Sequence, residues 1–506
     1  MKYALQAAIF DLDGVVTKTA NLHSKAWGMA FEKYNGRRIQ EGKESFESYD
    51  PRVDYPKYID GIPRFDGVRN FLKSRDLELP EGTPGDNEND ETVYGLGNQK
   101  NELFQELIKK EGVTVLERNV EVIKAWKEKG IRTAVISSSK NCKMILEKAG
   151  LEDLFEVRVD GVVSEEMNIP GKPAPDIFLK AAEELGVKPG ETLIVEDAQA
   201  GVEAGKKGNF RLVIGIINAS GEQELLKAGA DIAVNDLQEL DLEFKNPKKT
   251  NSLPSALKCF GELSDIFKKE QPMLFLDFDG TLSPIVEHHK DARISEEMRE
   301  LVFELSKKYK VAVVSGRGLA DVREKVALPE IYYAGSHGYE ISGPNGFSKD
   351  HEEAVKVMPV FDEIEPILKD RLRDISGVDF ERKKFTLAIH YRQVSAEQEP
   401  KVHKIVSEVL KDHPKVLPAG GKKVIEIRPD IDWHKGKAVE FLKQQLSNDK
   451  DPLSVYVGDD VTDEDAFKFV SHGIGILVGE HGQDTYADYH LENIHQVEQF
   501  LRKMLE

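Results

Sequence analysis

Phe10-Asp11-Leu12-Asp13-Gly14-Val15-Val16-Thr17 returns 266 residues later as Leu276-Asp277-Phe278-Asp279-Gly280-Thr281-Leu282-Ser283. A period of that length is far too long for a solenoid and fits two tandem domains of ordinary size. Each copy follows a short apolar run, Ala7 to Phe10 and Met273 to Leu276, as expected for a strand buried on both faces of a parallel sheet. Similar runs follow: Thr133 to Ile136, Thr192 to Val195 and Leu212 to Ile217 in the first half, and Val311 to Val314, Leu453 to Val457 and Ile474 to Val478 in the second. Between them, Asn119 to Lys129, Lys140 to Ala149 and Asp176 to Leu185 have helical spacing, and each stops at a glycine. The alternation predicts an α/β fold, two open parallel sheets with helices on both faces, and a ligand crevice at the carboxyl ends of the strands.

The chain has 506 residues, with 70 Lys+Arg against 90 Asp+Glu and a net charge of −20. That balance speaks against nucleic acid or anionic lipid as a partner. Hydrophobic residues at 40% supply several cores, and no apolar run approaches the roughly 18 residues that a membrane helix needs. Cys142 and Cys259 cannot build a disulfide framework, so a reducing cytoplasm is expected. Asn246 to Ser255, polar and carrying two prolines, is the expected linker; Pro80 to Asp90 reads as a loop inside the first half.

Three further elements follow the Asp-x-Asp-Gly copies in the same order. They are a Ser closing a buried strand (Ser137, Ser315), a Lys (Lys172, Lys435), and an acidic pair closing another strand (Glu196-Asp197, Asp459-Asp460). Ser137 follows Asp11 by 126 residues, whereas Ser315 follows Asp277 by 38; from Ser to Lys the order reverses, at 35 and 120. From Lys to the first acid of the pair both halves give 24. The same core therefore carries a large insertion at two different points.

Strand residues two apart share a face, so both carboxylates of Asp-x-Asp can reach the crevice. One Asp can attack phosphorus and carry the phosphoryl group, while its partner protonates the leaving oxygen and later deprotonates the acceptor. Several carboxylates around a phosphate dianion require a cation, and an all-oxygen set favours Mg²⁺. The Lys and the Ser hydroxyl would stabilise the equatorial oxygens.

These motifs, in this order, resemble the haloacid dehalogenase-like phosphotransferases over nearly the whole chain. The resemblance implies two tandem Rossmann-like cores, with Asp11 and Asp277 as nucleophiles and Asp13 and Asp279 as acid/base groups. It places Ser137, Lys172, Ser315 and Lys435 on the phosphate, and Asp11, Asp13, Glu196, Asp197, Asp277, Asp279, Asp459 and Asp460 around Mg²⁺.

The first half is similar to the β-phosphoglucomutase family, which implies that His23 couples cap closure to the acid/base Asp and that Arg64 and Lys100, with Trp27 and Asn141, serve the far phosphate and the sugar. Lys18 and Asp60 depart from that pattern. A plain sugar-phosphate phosphatase and a non-catalytic sugar-phosphate sensor stay open as alternatives for this half. The second half is similar to the trehalose-6-phosphate phosphatase family through Ser315-Gly316-Arg317, His337, Glu381 with Lys384, His390-Tyr391-Arg392 and Glu426-x-Arg428-Pro429. Arg317, His337, Glu381, Lys384, His390, Arg392, Glu426 and Arg428 are its expected substrate contacts. The implied partners are sugar phosphates, trehalose 6-phosphate and β-glucose 1-phosphate. The expected layout is residues 1–245 with a helical cap at about 20–115, a linker at 246–265, and 266–506 with an α/β cap at about 341–433. His288-His289 reads as a solvent-facing loop and Gly473-x-Gly475 as a turn into a late strand.

Overall fold

A computed structural model of the chain describes residues 2–59, 62–218, 220–286, 291–421, 423–447 and 452–506; Asp60 and His288-His289 lie outside the described residues. The chain divides into two compact units, Leu5–Phe244 and Lys245–Glu506, the latter with Met1–Ala4.

The core of the first unit holds β1 (Ala7–Asp11), β2 (Arg132–Ile136), β3 (Val157–Val159), β4 (Thr192–Glu196), β5 (Leu212–Ile216) and β6 (Ile232–Val234). They form one sheet in the order β3-β2-β1-β4-β5-β6, with every pairing parallel. Every residue of β1, β4 and β5 is buried, as their unbroken apolar runs require. The chain builds β2 and β3 on one side of β1 and then crosses to the other side for β4, so a crevice opens at the carboxyl end of β1.

The cap of this unit is helical: α1 (Ala20–Gln40), α2 (Arg64–Lys73) and α3 (Val93–Glu111) pack around Trp27, Phe31, Phe71 and Leu96. Phe31 stacks on Phe71 at 3.7 Å, and each ring buried in this way stabilises the cap by roughly 2–3 kcal/mol. Back in the core, α4 (Cys142–Ala149) and α5 (Asp176–Leu185) end on Gly150 and Gly186, both at φ 66, where a side chain would be strained.

The second unit has β7 (Met273–Leu276), β8 (Val311–Val314), β9 (Tyr332–Gly335), β10 (Glu340–Ser342) and β11 (Ser348–Asp350). Its cap strands are β12 (Asp379–Arg382), β13 (Leu387–His390), β14 (Val416–Gly421) and β15 (Val424–Pro429), followed by core strands β16 (Ser454–Gly458), β17 (Gly473–Val478) and β18 (Tyr489–Leu491). The core order is β11-β10-β9-β8-β7-β16-β17-β18, parallel except for the antiparallel hairpins β9-β10 and β10-β11. As in the first unit, the Asp-bearing strand lies between the Ser-bearing and the acid-bearing strands. The α/β cap is the antiparallel sheet β12-β13-β15-β14. Its Leu387, Ile389, Ile425 and Ile427 pack on Phe361 and Leu368 of Glu352–Leu372 and on Val402 and Val406 of Glu399–Leu410.

Two boundaries differ from the sequence reading. Residues 341–350 complete β10 and β11 of the core sheet, so the cap begins at Glu352. The segment read as a linker is part of the second unit. Lys248 and Thr485 exchange backbone hydrogen bonds of 2.7 and 2.8 Å, Ala256 N donates to His490 O at 3.0 Å, and Phe260 meets Phe500 edge-on at 5.6 Å. Polar composition predicted a tether, but this backbone finds partners in β18 and in the segment leading into it. Among the described residues no helix is long and apolar enough to cross a membrane.

Candidate active sites

In the first unit β1 ends on Asp11, and register fixes its surroundings. Phe10 pairs with Val195, so Glu196 stands level with Asp11 on one side; Asp11 pairs with Ile136, so Ser137 comes next on the other. Lys172 Nζ bonds Asp11 Oδ1 at 2.6 Å and also bonds Glu196, with all three side chains buried or nearly so. Burial would lower Lys172, but Asp11 and Glu196 overcome it and hold the ammonium above its ordinary value. Burial outweighs Lys172 at Glu196 and pushes that carboxyl up to about 7. Oxygens of Asp11, Glu196 and Asp197 lie within 4.8 Å of one another, and three acids against one lysine leave a negative charge suited to a hard cation. Gly14, at φ 83, admits this packing, because a Cβ there would collide with the Asp197 carboxylate.

Asp13 turns the other way. Its carboxylate accepts from Thr19 N at 2.8 Å and from the Thr19 hydroxyl, and it stands 3.5 Å from His23 Nε2. His23, held well below its usual value by burial and then by Lys100 and Arg64, accepts from Lys100 Nζ at Nδ1 (2.7 Å) and presents Nε2–H to Asp13. Its ring stacks on Phe104 at 3.8 Å. Lys100 is buried over Trp27 and lowered by burial and by Arg64; burial pushes Arg64 down to about 10. In this cap Arg64 therefore lowers Lys100, and both lower His23. Asn141, at the N-terminus of α4, reaches the cap by donating to Asn101 Oδ1 at 2.7 Å and accepting from Gln105 Nε2 at 3.1 Å.

In the second unit Lys435 Nζ bonds Asp277 Oδ1 at 3.0 Å and Asp463 Oδ1 at 2.7 Å, all three side chains being buried. Burial and then Asp463 raise Asp277 well above the carboxylate range even against Lys435; burial pushes Asp459 up to about 7. Asp277, Asp459 and Asp463 form the acidic cluster here. Asp459 Oδ1 is buried without a hydrogen-bond partner. An orphan carboxylate oxygen is costly in a protein interior, and a cation is the ligand that would satisfy it, so this donor set fits a hard metal. A Cβ on Gly280, at φ 77, would collide with Asp459, repeating the Gly14 packing. Asp279 is gripped bidentately by Arg317, at 2.7 Å from both Nε and Nη2.

Core and cap meet in this unit at Glu426, which accepts from Lys383 Nζ (2.8 Å) and Thr386 Oγ1 (3.0 Å) and lies 3.1 Å from His337 Nε2. Lys383 also donates to Gly316 O at 3.1 Å. Burial would raise Glu426, yet Lys383 and His337 hold it well below the usual carboxylate range. Ser336 and His337, at φ 49 and 58, adopt a left-handed turn that aims the imidazole at the cap, a local strain typical of functional loops.

The family profile of the haloacid dehalogenase-like hydrolases matches residues 5–209, and that of the trehalose-phosphatases matches residues 275–494. A Mycobacterium bovis β-phosphoglucomutase is 46% identical over 240 residues, covering 47% of this chain and 91% of that protein. A Mycobacterium leprae trehalose-phosphate phosphatase is 34% identical over 409 residues, covering 77% of this chain and 92% of that protein. The chain belongs to the haloacid dehalogenase-like hydrolases, with a trehalose-phosphatase half. An uncharacterized glycosyl hydrolase of Mycobacterium tuberculosis is 36% identical over 510 residues. That match takes in 98% of this chain and 38% of that protein, so the chain spans well under half of that relative's length.

Within this haloacid dehalogenase-like chain, the structure brings together Asp11, Ser137, Lys172, Glu196 and Asp197 in one crevice and Asp277, Ser315, Lys435 and Asp459 in the other. Ser137 and Ser315 have matching geometry, each hydroxyl oxygen accepting from the amide two residues on at 3.1 Å. Asp13 and Asp279 lie outside the acidic clusters, because Thr19 and Arg317 hold their carboxylates elsewhere. Asp460 is exposed and accepts from Val461 N at 2.7 Å, starting the turn Val461–Asp463. That turn returns Asp463 over the strand end, so the third acid of this cluster is Asp463 and not Asp460.

The equal Lys-to-acid spacing of 24 hid this offset. Val457 pairs with Leu276 as Val195 pairs with Phe10, so Glu196 corresponds to Gly458 and Gly201 to Asp463. The two units exchange a carboxylate and a glycine across five positions. A Cβ on Gly201 would collide with Glu196, and one on Gly458 with Asp463.

Lys384 is half-exposed and pairs with Asp350 at 2.7 Å; its neighbour Lys383 is the residue in the site. Alternation from Glu381 would have favoured residue 383 over 384. Arg392 is exposed beyond β13. His390 bonds Glu381 at 3.1 Å, and register sets Glu381, Ala388 and Glu426 in one row of the cap sheet. Arg428 is half-buried on the same face as Glu426. Trp27 is buried in the cap core, with its ring under Lys100 Nζ at 5.0 Å.

Proposed function

We propose that the second unit hydrolyses trehalose 6-phosphate to trehalose and phosphate, and that the first unit is a β-phosphoglucomutase-like phosphotransferase, both through an aspartyl phosphate and both with Mg²⁺. The observation that carries the reading is the repeated junction of lysine, nucleophile and acidic cluster at one strand end. Asp11 or Asp277 attacks phosphorus, and the P–O bond to the sugar breaks. Asp13 or Asp279 gives its proton to the departing oxygen and then takes one from the acceptor as that acceptor attacks the aspartyl phosphate. Lys172 and Lys435, held charged, neutralise the attacking carboxylate and the phosphoryl oxygens. Mg²⁺, held by Asp11 with Asp197 and by Asp277 with Asp459, would add electrostatic stabilisation of the transferring group.

The acceptor differs between the halves. In the second unit it is water, and Glu426, Arg428 and His337 supply carboxylate, guanidinium and imidazole for a disaccharide phosphate. In the first unit Arg64 and Lys100 offer a second anion site in the cap. A mutase needs that site to hold a bisphosphorylated sugar, and a simple phosphatase does not. Free cysteines, with Cys142 buried, fit a reducing cytoplasm.

A phosphate-release screen over sugar phosphates on the wild type, Asp11→Asn and Asp277→Asn tests both halves. Asp277→Asn should abolish phosphate release from trehalose 6-phosphate; retained turnover refutes the assignment. With β-glucose 1-phosphate and a trace of bisphosphate, the first unit should yield glucose 6-phosphate. Free phosphate without it would make this half a phosphatase, and an Asp11→Asn variant with every activity intact would make it a sensor.

A further inference from the structure

The two units solve one placement problem with different parts, and the difference singles out a residue that the motifs do not assign. In the first unit the carboxylate beside the lysine grows from the strand itself: Glu196 is the last residue of β4, and its Oε2 accepts from Asp197 N and Ala198 N at 3.2 and 3.3 Å. In the second unit the carboxylate arrives from a turn five residues further on. Asp463 Oδ2 accepts from Asp459 N and Asp460 N, both at 3.0 Å, so the backbone anchors are the same pair of positions. The chemistry on the other oxygen differs. Glu196 Oε1 has Lys172, whereas Asp463 Oδ1 has both Lys435 at 2.7 Å and the Tyr456 hydroxyl at 2.6 Å.

Tyr456 pairs with Phe275 in β16 as Ile194 pairs with Ile9 in β4, so the phenol occupies the place of an isoleucine. Tyr456 and Gly458 are two apart on one strand face. The absent side chain of Gly458 leaves the space that the Asp463 carboxylate fills. Tyr456 is fully buried, edge-on to Phe467 at 5.6 Å, and burial with the Asp463 charge raises it well above its ordinary value, so the hydroxyl keeps its proton. With four donors on two oxygens, Asp463 is saturated by the protein. It is suited to hold Lys435 and the Asp459 amide in place, while Asp459 Oδ1, which has no partner, is left to take a cation.

We infer that Tyr456 is a positioning residue of the second site: by holding Asp463 over the strand end it fixes the turn that presents Asp459 to the cation and Lys435 to the phosphate. The first unit needs no such residue, because its carboxylate is fixed by the strand. The inference rests on the metal part of the proposed function and is independent of which sugar phosphate is cleaved.

The test uses the full chain carrying Asp197→Asn, which silences the first acidic cluster, and titrates Mg²⁺ calorimetrically without substrate. Adding Tyr456→Phe should weaken Mg²⁺ about tenfold, the scale of losing a hydrogen bond that orients a metal site. The thermal midpoint of the metal-free protein should report how far the loss is structural. Tyr333→Phe is the control: it removes another buried phenol in the same unit, whose hydroxyl bonds Leu328 O at 2.7 Å far from the acids, and should leave Mg²⁺ affinity within about twofold, as a bond outside the metal's hydrogen-bonded shell would. A Tyr456→Phe affinity within twofold of its parent overturns the inference, and so does an equal loss in Tyr333→Phe. If the Asp197→Asn parent binds no Mg²⁺, the metal reading falls and the inference with it. If trehalose 6-phosphate is not hydrolysed while Tyr456→Phe still weakens Mg²⁺, only the substrate reading falls.

Discussion

Gly201 and Gly458 show how single residues carry the chemistry of this chain. Each lacks a side chain because a carboxylate from five positions away occupies the space, Glu196 in one unit and Asp463 in the other. Gly201→Ala should therefore push Glu196 off Lys172, costing about 1–3 kcal/mol as overpacking does and abolishing the activity of the first unit. Gly190→Ala, at a position whose Cβ would meet nothing within 4 Å, should stay within about 0.5 kcal/mol of wild type. Chemical denaturation with activity assays separates the two. Glu196 and Asp459 also give a pH dependence. Their folded values are raised to about 7, so the metal-free folded state takes up protons that an unfolded chain would release above the ordinary carboxylate range. Each contributes stability present at low pH and lost as pH rises from the ordinary value toward about 7. Cation binding demands the ionised form and expels the proton, so Mg²⁺ affinity should climb as pH rises through about 7 and level off above it. Calorimetry in buffers of different ionisation enthalpy would count the protons released.

At the scale of elements, the cap sheet of the second unit turns one face to its helices and sets Glu381, Glu426 and Arg428 on the other. Lys383, at the turn after β12, joins that polar face to the core through Gly316 O. Lys383→Ala strands the Glu426 carboxylate and opens that contact, so kcat/KM for trehalose 6-phosphate should fall by about 10²-fold, the scale of truncating one partner of a buried charge pair. Lys384→Ala removes only a half-exposed ion pair and should change it less than about twofold. Steady-state kinetics on the pair decides which lysine serves the site. Adjacent residues in a hairpin point in opposite directions, and the motif reading lacked the strand end that settles which one points inward.

For the whole molecule, each unit carries a complete constellation on its own sheet. Mg²⁺ at about a hundredfold over its Kd should stabilise each unit by about 2.7 kcal/mol. Asp197→Asn should remove the effect from the unit of Leu5–Phe244, and Asp459→Asn from that of Lys245–Glu506. Scanning calorimetry with and without Mg²⁺ reads both transitions.

Much of this was legible in the residues. The repeated Asp-x-Asp-Gly, the buried apolar runs and the glycine helix stops fixed two parallel-sheet cores, because strand burial and helix termination are local in sequence. Order along the chain was enough to place Asp11 and Lys172 at one strand end and Asp277 and Lys435 at the other, the lysines being expected on the phosphate, since a buried strand end has few directions in which to point a carboxylate. What only the tertiary structure decided were choices between near neighbours: Asp463 over Asp460, Lys383 over Lys384, a docked segment where polar composition predicted a linker, and the phenol of Tyr456 beneath an acid seven residues away. Each depends on where a turn brings the chain back against a strand. Spacing counts residues along the chain, whereas hydrogen bonds and steric room are set by the register between strands that sequence distance does not record.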